Sequence, residues 1–223
     1  MRFRTLHDWP TDYDSAVALQ SRLRRRIVIR PLPPRISLIA GADVSYDRAS
    51  GLVHAGVVVM QLPHFDMVET QTASRRVNFP YIPGLLSFRE APALLDAFSR
   101  LRCTPDAVIF DGQGIAHMRG VGLASHMGLW LALPSVGCAK SRLIGAHAAV
   151  GPARGRRASL RYGGRIVGSV LRTSDRVRPV YVSPGHLADI RSSVRLILRC
   201  AARFRLPEPI RSAHRLVTEL TTR

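Results

Sequence analysis

Polar and apolar positions along the chain switch repeatedly between a helical and a strand period. Over residues 12–28, Val17, Leu19, Leu23 and Ile27 recur near helical spacing with arginines elsewhere, which predicts an amphipathic helix. Pro31, Pro33 and Pro34 close it. Three strand-like runs follow at 36–46, 52–62 and 67–77, separated by turn-rich residues 47–51 and 63–66. Connections this short predict antiparallel neighbours. A loop over 78–86 leads to a helix over about 91–101 and a buried strand at 107–110, stopped by Asp111-Gly112. The later part of 120–133 reads as a helix, and 135–138 as a short strand. The Gly-, Ala- and Arg-rich stretch 145–164 reads as a mobile loop or insertion. Strands at 166–171 and 177–182 and helices at 187–204 and 209–220 complete the chain.

Antiparallel strands followed by mixed β and α units predict an α/β protein with one mixed sheet and helices on its faces. No stretch reads as a linker, so residues 1–223 are expected to form one domain. The apolar share of 46% is that of a globular chain, and no apolar run reaches the roughly eighteen residues of a membrane span. The polar N-terminus does not read as a secretory signal, so a cytoplasmic location is expected. Cys103, Cys138 and Cys200 are odd in number and far apart, which predicts reduced, mostly buried thiols rather than disulfides or zinc ligands.

Charge is the most unbalanced feature of the composition. Thirty-three basic residues against fifteen acidic ones leave a net charge of +18, which steers the chain towards a polyanion. Basic residues gather at 22–30, 75–76, 154–161, 172–178 and 191–205. None of these makes a basic amphipathic helix with a Trp/Leu face, so nucleic acid is favoured over a membrane surface. Every basic residue except Lys140 is arginine. A lone lysine in such a background marks a place where a compact ammonium serves and a planar fork does not.

The acids are unusually placed. Asp43 interrupts the apolar run Leu38-Ile39-Ala40-Gly41-Ala42-Asp43-Val44, and Asp111 ends the run 107–110. Buried carboxylates are costly unless paired, hydrogen-bonded or bound to metal. Asp111-Gly112 could serve a turn, but Asp43 in mid-strand could not. If the two strands are neighbours, both carboxylates reach one point, a hard-oxygen site of the kind Mg²⁺ shares with phosphate and water. Glu90 could close a capping box with Ser87. Pro92 argues instead for a helix that begins near Pro92 and leaves Glu90 free to face the site.

The runs GADVSY (41–46), PYIPGLLSFRE (80–90), DGQGIAHMRGVGLASHMG (111–128), VGCAKSRLIG (136–145) and LPEPIRSAH (206–214) resemble the endonuclease V family, the deoxyinosine 3′-endonucleases. The likeness covers most of the chain except about 145–173. It implies a ribonuclease H-like mixed central sheet with helices on both faces. It also implies Mg²⁺-dependent hydrolysis, with Mn²⁺ as a substitute, at the second phosphodiester bond 3′ to hypoxanthine, leaving 3′-hydroxyl and 5′-phosphate ends. By the same resemblance Asp43, Glu90 and Asp111 are the metal-binding and catalytic acids, Lys140 is the active-site lysine, and His214 adds a polar group near the metal. Pro80, Tyr81, Ile82 and Pro83 match a strand-separating wedge, and Gly84, Leu86, Gly112, His117, Gly122, Leu123 and Ala139 match the base pocket. Met118 and Val121 depart from the family's usual proline and larger aromatic, which bears on strictness for hypoxanthine. Expected partners are deoxyinosine-containing DNA and inosine-containing RNA, and the protein is expected to be a monomer without membrane association. The rivals are an inosine-directed endoribonuclease or a related structure-specific nuclease on the same fold, and a catalytically silent nucleic-acid-binding protein.

Overall fold

The computed structural model describes residues 1–221. Its eight strands form one mixed sheet. Strands β1 (Leu38–Asp47), β2 (Leu52–Gln61) and β3 (Asp66–Arg76) are the antiparallel meander that the short turns predict. Strands β4 (Ala107–Phe110) and β5 (Ser135–Ala139) then run parallel to β1. Strand β8 (Val180–Pro184) returns antiparallel to β5 and carries β7 (Arg165–Leu171) and the edge strand β6 (Arg157–Tyr162).

Alternation along the central strands assigns the two faces. On one side Ala40, Ala42, Val108 and Phe110 pack with Leu94 and Phe98 of helix α2 (Leu86–Ser99) and Met127 of α3 (Leu123–Leu131). On the other, Ile39, Ile109, Val136 and Cys138 pack with Val194 and Ile197 of α4 (Ile190–Cys200) and Ile210 and Ala213 of α5 (Glu208–Thr221). Helix α1 (Tyr13–Arg24) starts at Asp12, which caps the Ser15 N–H, and joins Phe79, Leu85 and Phe88 in a smaller cluster. The fold is therefore α/β with helices on both faces. Cys103, Cys138 and Cys200 are free thiols, the last two buried. Among the described residues no helix is long and apolar enough to cross a membrane.

Several boundaries differ from expectation, each for a physical reason. The helix expected near Pro92 begins at Leu86, so Pro92 lies inside it and Ser87 is no cap. Pro92 cannot donate to the Phe88 carbonyl, a loss of about 3 kcal/mol. Burial of Phe88, Leu94, Leu95 and Phe98, at about 1.5–3 kcal/mol each, outweighs it. The stretch 145–164 is not a mobile loop throughout: 157–162 is strand β6, and its root is fixed by Arg172, whose guanidinium donates to the carbonyls of Val150, Gly151 and Val177. The helix expected over 187–204 is shortened to Ile190–Cys200, its start set by Asp189, which caps the Ser192 N–H.

Glu69 on β3 ties the meander to the turn before β4, accepting from the backbone N–H groups of Arg102 at 3.0 Å and Cys103 at 3.1 Å. Burial presses its carboxyl upward, but these bonds and one from the Gln71 amide outweigh burial and hold it at about 2. The folded value lies below the ordinary 4.5, so this stabilisation is complete above that pH and is lost as pH falls towards 2. Thermal melts across that window should therefore fall more steeply for the wild type than for Glu69→Gln. Equal acid sensitivity would contradict the assignment.

Candidate active site

Asp43 and Asp111 reach one sheet end because β1 and β4 are parallel neighbours: Ala42 pairs with Phe110, and the Asp111 N–H donates to the Ala42 carbonyl at 3.3 Å. Asp43 shares the parity of Ile39 and Gly41. Asp111 continues that of Ala107 and Ile109, and Lys140 that of Val136 and Cys138. All three thus belong to the α5 side. Lys140 Nζ lies 2.5 Å from an Asp111 carboxylate oxygen, and His214 of α5 lies with Nδ1 2.7 Å from Asp43 Oδ2. The Val44 N–H donates to the other Asp43 oxygen at 2.8 Å.

Glu90 comes from α2, on the opposite face. Burial, then repulsion from Asp43 and Asp111, pushes its carboxyl up to about 8. Burial and Asp111 likewise raise Asp43, against the His214 and Val44 hydrogen bonds. The three acids therefore feel one another strongly. Among the described residues no three His, Cys, Asp or Glu side chains are gathered closely enough to hold a metal ion unaided. The donor set still fits a hard cation, since Mg²⁺ takes only one or two carboxylates and completes its shell with water and phosphate oxygens. A positive charge there would also reverse the repulsion that raises Asp43 and Glu90. His214 meets this group through Asp43, an orienting contact on the carboxylate.

Beside the acids lies a cavity of about 350 Å³. Gly84, Leu86, Gly112, His117, Gly122, Leu123 and Ala139 all line it, with Tyr81, Ile82 and Pro83 at its rim and Asp111 and Lys140 joining it to the acidic cluster. Pro80 is exposed at the surface outside it. Tyr81 is 67% exposed, an aromatic ring offered to solvent. Val121 is fully buried and lines the cavity, whereas Met118 packs behind Gly84: a Cβ on Gly84 would come within 2.3 Å of its sulfur. A larger hollow of about 590 Å³ between the β2–β3 turn and the start of α5 contains none of the predicted residues.

His117 shapes the cavity by holding its wall. Burial, then Arg119, lowers its pKa to about 4, so the ring is neutral near pH 7. Nδ1 accepts from the Arg119 N–H at 3.2 Å, which leaves Nε2–H to donate to the Gly84 carbonyl at 2.9 Å. The same carbonyl accepts from Arg119 Nη2 at 2.9 Å and from Gln20 Nε2 at 3.0 Å. Sequence reasoning missed Gln20, a fully buried polar residue of α1 whose signal is its place among Ala16, Leu19 and Leu23. Gln113 was missed as well. Its amide donates to the Ser141 carbonyl at 3.1 Å and so ties the turn after β4 to the turn that carries Lys140.

The sequence profile of the Endonuclease V family matches residues 21–215. Endonuclease V of Myxococcus xanthus is 46% identical over 213 residues, covering 95% of this chain and 91% of that protein. Among solved structures, endonuclease V of Streptomyces avermitilis superposes with a TM-score of 0.92 at 39% identity, over 96% of this chain and 95% of that one. Endonuclease V of Bacillus subtilis does so with a TM-score of 0.95 at 27% identity, over 100% and 98%. The fold, the grouped acids and the near-complete overlap lead to one conclusion: the chain belongs to the endonuclease V family and is a phosphodiester-hydrolysing endonuclease.

Proposed function

We propose that the chain nicks nucleic acid at hypoxanthine, hydrolysing the second phosphodiester bond 3′ to that base, with Mg²⁺ or Mn²⁺ as cofactor. The observation that carries this reading is the junction of a base-sized cavity with an acidic cluster through Asp111 and Lys140. A flipped base held in the cavity sets the backbone across the acids. Endonuclease V of Ciona intestinalis, a 22% identical fold relative, was solved with DNA containing an inosine followed by a ribo-adenosine.

In this reading water adds to phosphorus, the P–O3′ bond breaks, and the departing 3′ oxygen takes up a proton, leaving 3′-hydroxyl and 5′-phosphate ends. A bound divalent cation would lower the pKa of water and offset charge on the phosphate. Asp43 and Asp111 would hold that cation with Glu90, and His214 would keep Asp43 oriented. Lys140 offsets charge on the phosphate oxygens as it develops. The neutral His117, with Gln20 and Arg119, keeps Gly84 against the base. All of this lies in one domain spanning the chain.

Tyr81, with Pro80, Ile82 and Pro83, fills the gap left by the extruded base. Base–aromatic stacking contributes about 1–3 kcal/mol. Tyr81→Ala is therefore expected to lower cleavage of a hypoxanthine duplex roughly 10- to 100-fold and of the single strand far less. An equal loss on both would remove the wedge role. The reading as a whole is tested by incubating labelled DNA and RNA, single- and double-stranded, with and without one hypoxanthine. Cutting confined to inosine-containing RNA would transfer the substrate to RNA, and equal cutting of undamaged strands would overturn base recognition.

A further inference from the structure

The sequence likeness leaves 145–173 unexplained, and the charge of that stretch is wholly positive. No acidic residue occurs between Asp111 and Asp175, while Arg154, Arg156, Arg157, Arg161 and Arg165 crowd into twelve positions. Arg154 is engaged, donating to the Leu198 carbonyl at 2.7 Å. The other four are exposed, and among the described residues they have no ion-pair or side-chain hydrogen-bond partner. Alternation sets Arg157 and Arg161 on the strand face opposite the buried Leu160, about 13 Å apart along β6. Arg156 and Arg165 flank them.

The arm is built, not loose. Leu160 and Val170 bury their side chains with Ala116, and Arg172 pins the root through three carbonyls. It is also joined to the cavity. The chain leaves the cavity wall at Leu143, and three residues later Ala146 exchanges both backbone hydrogen bonds with Arg161, each 2.9 Å. Charge on an edge strand also serves to block edge-to-edge pairing. One or two charges of either sign suffice for that, and they need not continue into the flanking turns.

We propose that the β6–β7 arm is a docking surface for the phosphate backbone of the substrate, beside the base cavity. Arg156, Arg157, Arg161 and Arg165 neutralise phosphates there without reading sequence. The inference rests on the chain being a nucleic-acid enzyme and adds where the substrate lies beyond the cavity. Each phosphate contact contributes about 0.9 to the slope of log K against log salt on duplex DNA.

The test measures binding of fluorescein-labelled duplexes, undamaged or with one hypoxanthine, without divalent metal over a range of KCl. With Arg156→Gln, Arg157→Gln, Arg161→Gln and Arg165→Gln together, the slope should fall by about 3 to 4, and binding near 0.1 M salt should weaken at least about tenfold. The same four positions changed to lysine should keep the slope. Single-turnover nicking at saturating enzyme should stay within about twofold of wild type. An unchanged slope in the glutamine variant would overturn the proposal. If that variant melts well below wild type, Arg157→Gln with Arg161→Gln should lower the slope by about 1.8, and no change there is equally fatal. A wild-type protein that binds duplex with the steep slope yet cuts no hypoxanthine strand would sink the proposed reaction and leave the arm standing.

Discussion

Asp43→Ala is expected to lower single-turnover nicking of a hypoxanthine duplex by about 10³-fold or more, and Asp111→Ala by as much. Loss of a metal-holding carboxylate forfeits several kcal/mol of transition-state stabilisation, and about 4 kcal/mol corresponds to 10³ in rate. Binding should move the other way. In the proposed reaction each aspartate would face the path of a phosphate, so removing it should leave affinity for uncut duplex equal or tighter. His214→Ala should fall less, by about 10- to 100-fold, because His214 acts by orienting Asp43 at 2.7 Å. Rates from quenched time courses and affinities from fluorescence anisotropy separate these effects. Activity within about tenfold of wild type in both aspartate variants would remove them from the chemistry.

Gly41→Ala is expected to cost a large part of the fold's stability. A Cβ there would lie 2.2 Å from the carbonyl carbon and oxygen of Pro209, backbone atoms that have no rotamer to escape into. Helix α5 would have to lift off β1 and β2, and with it the buried Ile210, Ala213 and Val217. Overpacking of this kind costs typically 1–3 kcal/mol and sometimes more, and here a backbone clash puts it at about 3 or above. For a chain of this size that lowers Tm by roughly 6–12 °C. It should also weaken nicking beyond the loss of folded protein, because α5 carries His214. A Tm within about 2 °C of wild type would contradict the close approach.

Gly41 also shows where sequence reading stopped. The run around Asp43 was legible because a carboxylate in an apolar strand has few structural reasons to be there. That the glycine two residues earlier admits a helix could be suspected only from a glycine inside a strand pattern. The central strands were legible because each alternates or is wholly apolar, and short turns forced the meander. Pairing of β1 with β4 was not, since a parallel partner leaves no local signal, and that pairing is what joins Asp43 to Asp111.

Pro92 misled in a definite way. Proline favours the first helical turn, but the apolar residues on both sides of it earn a continuous helix. In 145–164, glycine and arginine hid an edge strand, because β6 buries few residues and its ordering by Arg172 comes from outside it. Gln20 and Gln113 act through backbone carbonyls distant in sequence, a role that composition does not display.

One site, built on Asp43, Asp111 and Lys140, is proposed to cut at a fixed step from a base held in the adjoining cavity. The decisive measurement maps the nick on a 5′-labelled duplex carrying one hypoxanthine, with Mg²⁺, beside the same duplex with adenine. A single product ending in a 3′-hydroxyl one nucleotide beyond the hypoxanthine is expected, with none from the adenine duplex and none when the metal is chelated. Scattered cuts, equal cutting of the adenine duplex, or undiminished nicking in the chelator would contradict it.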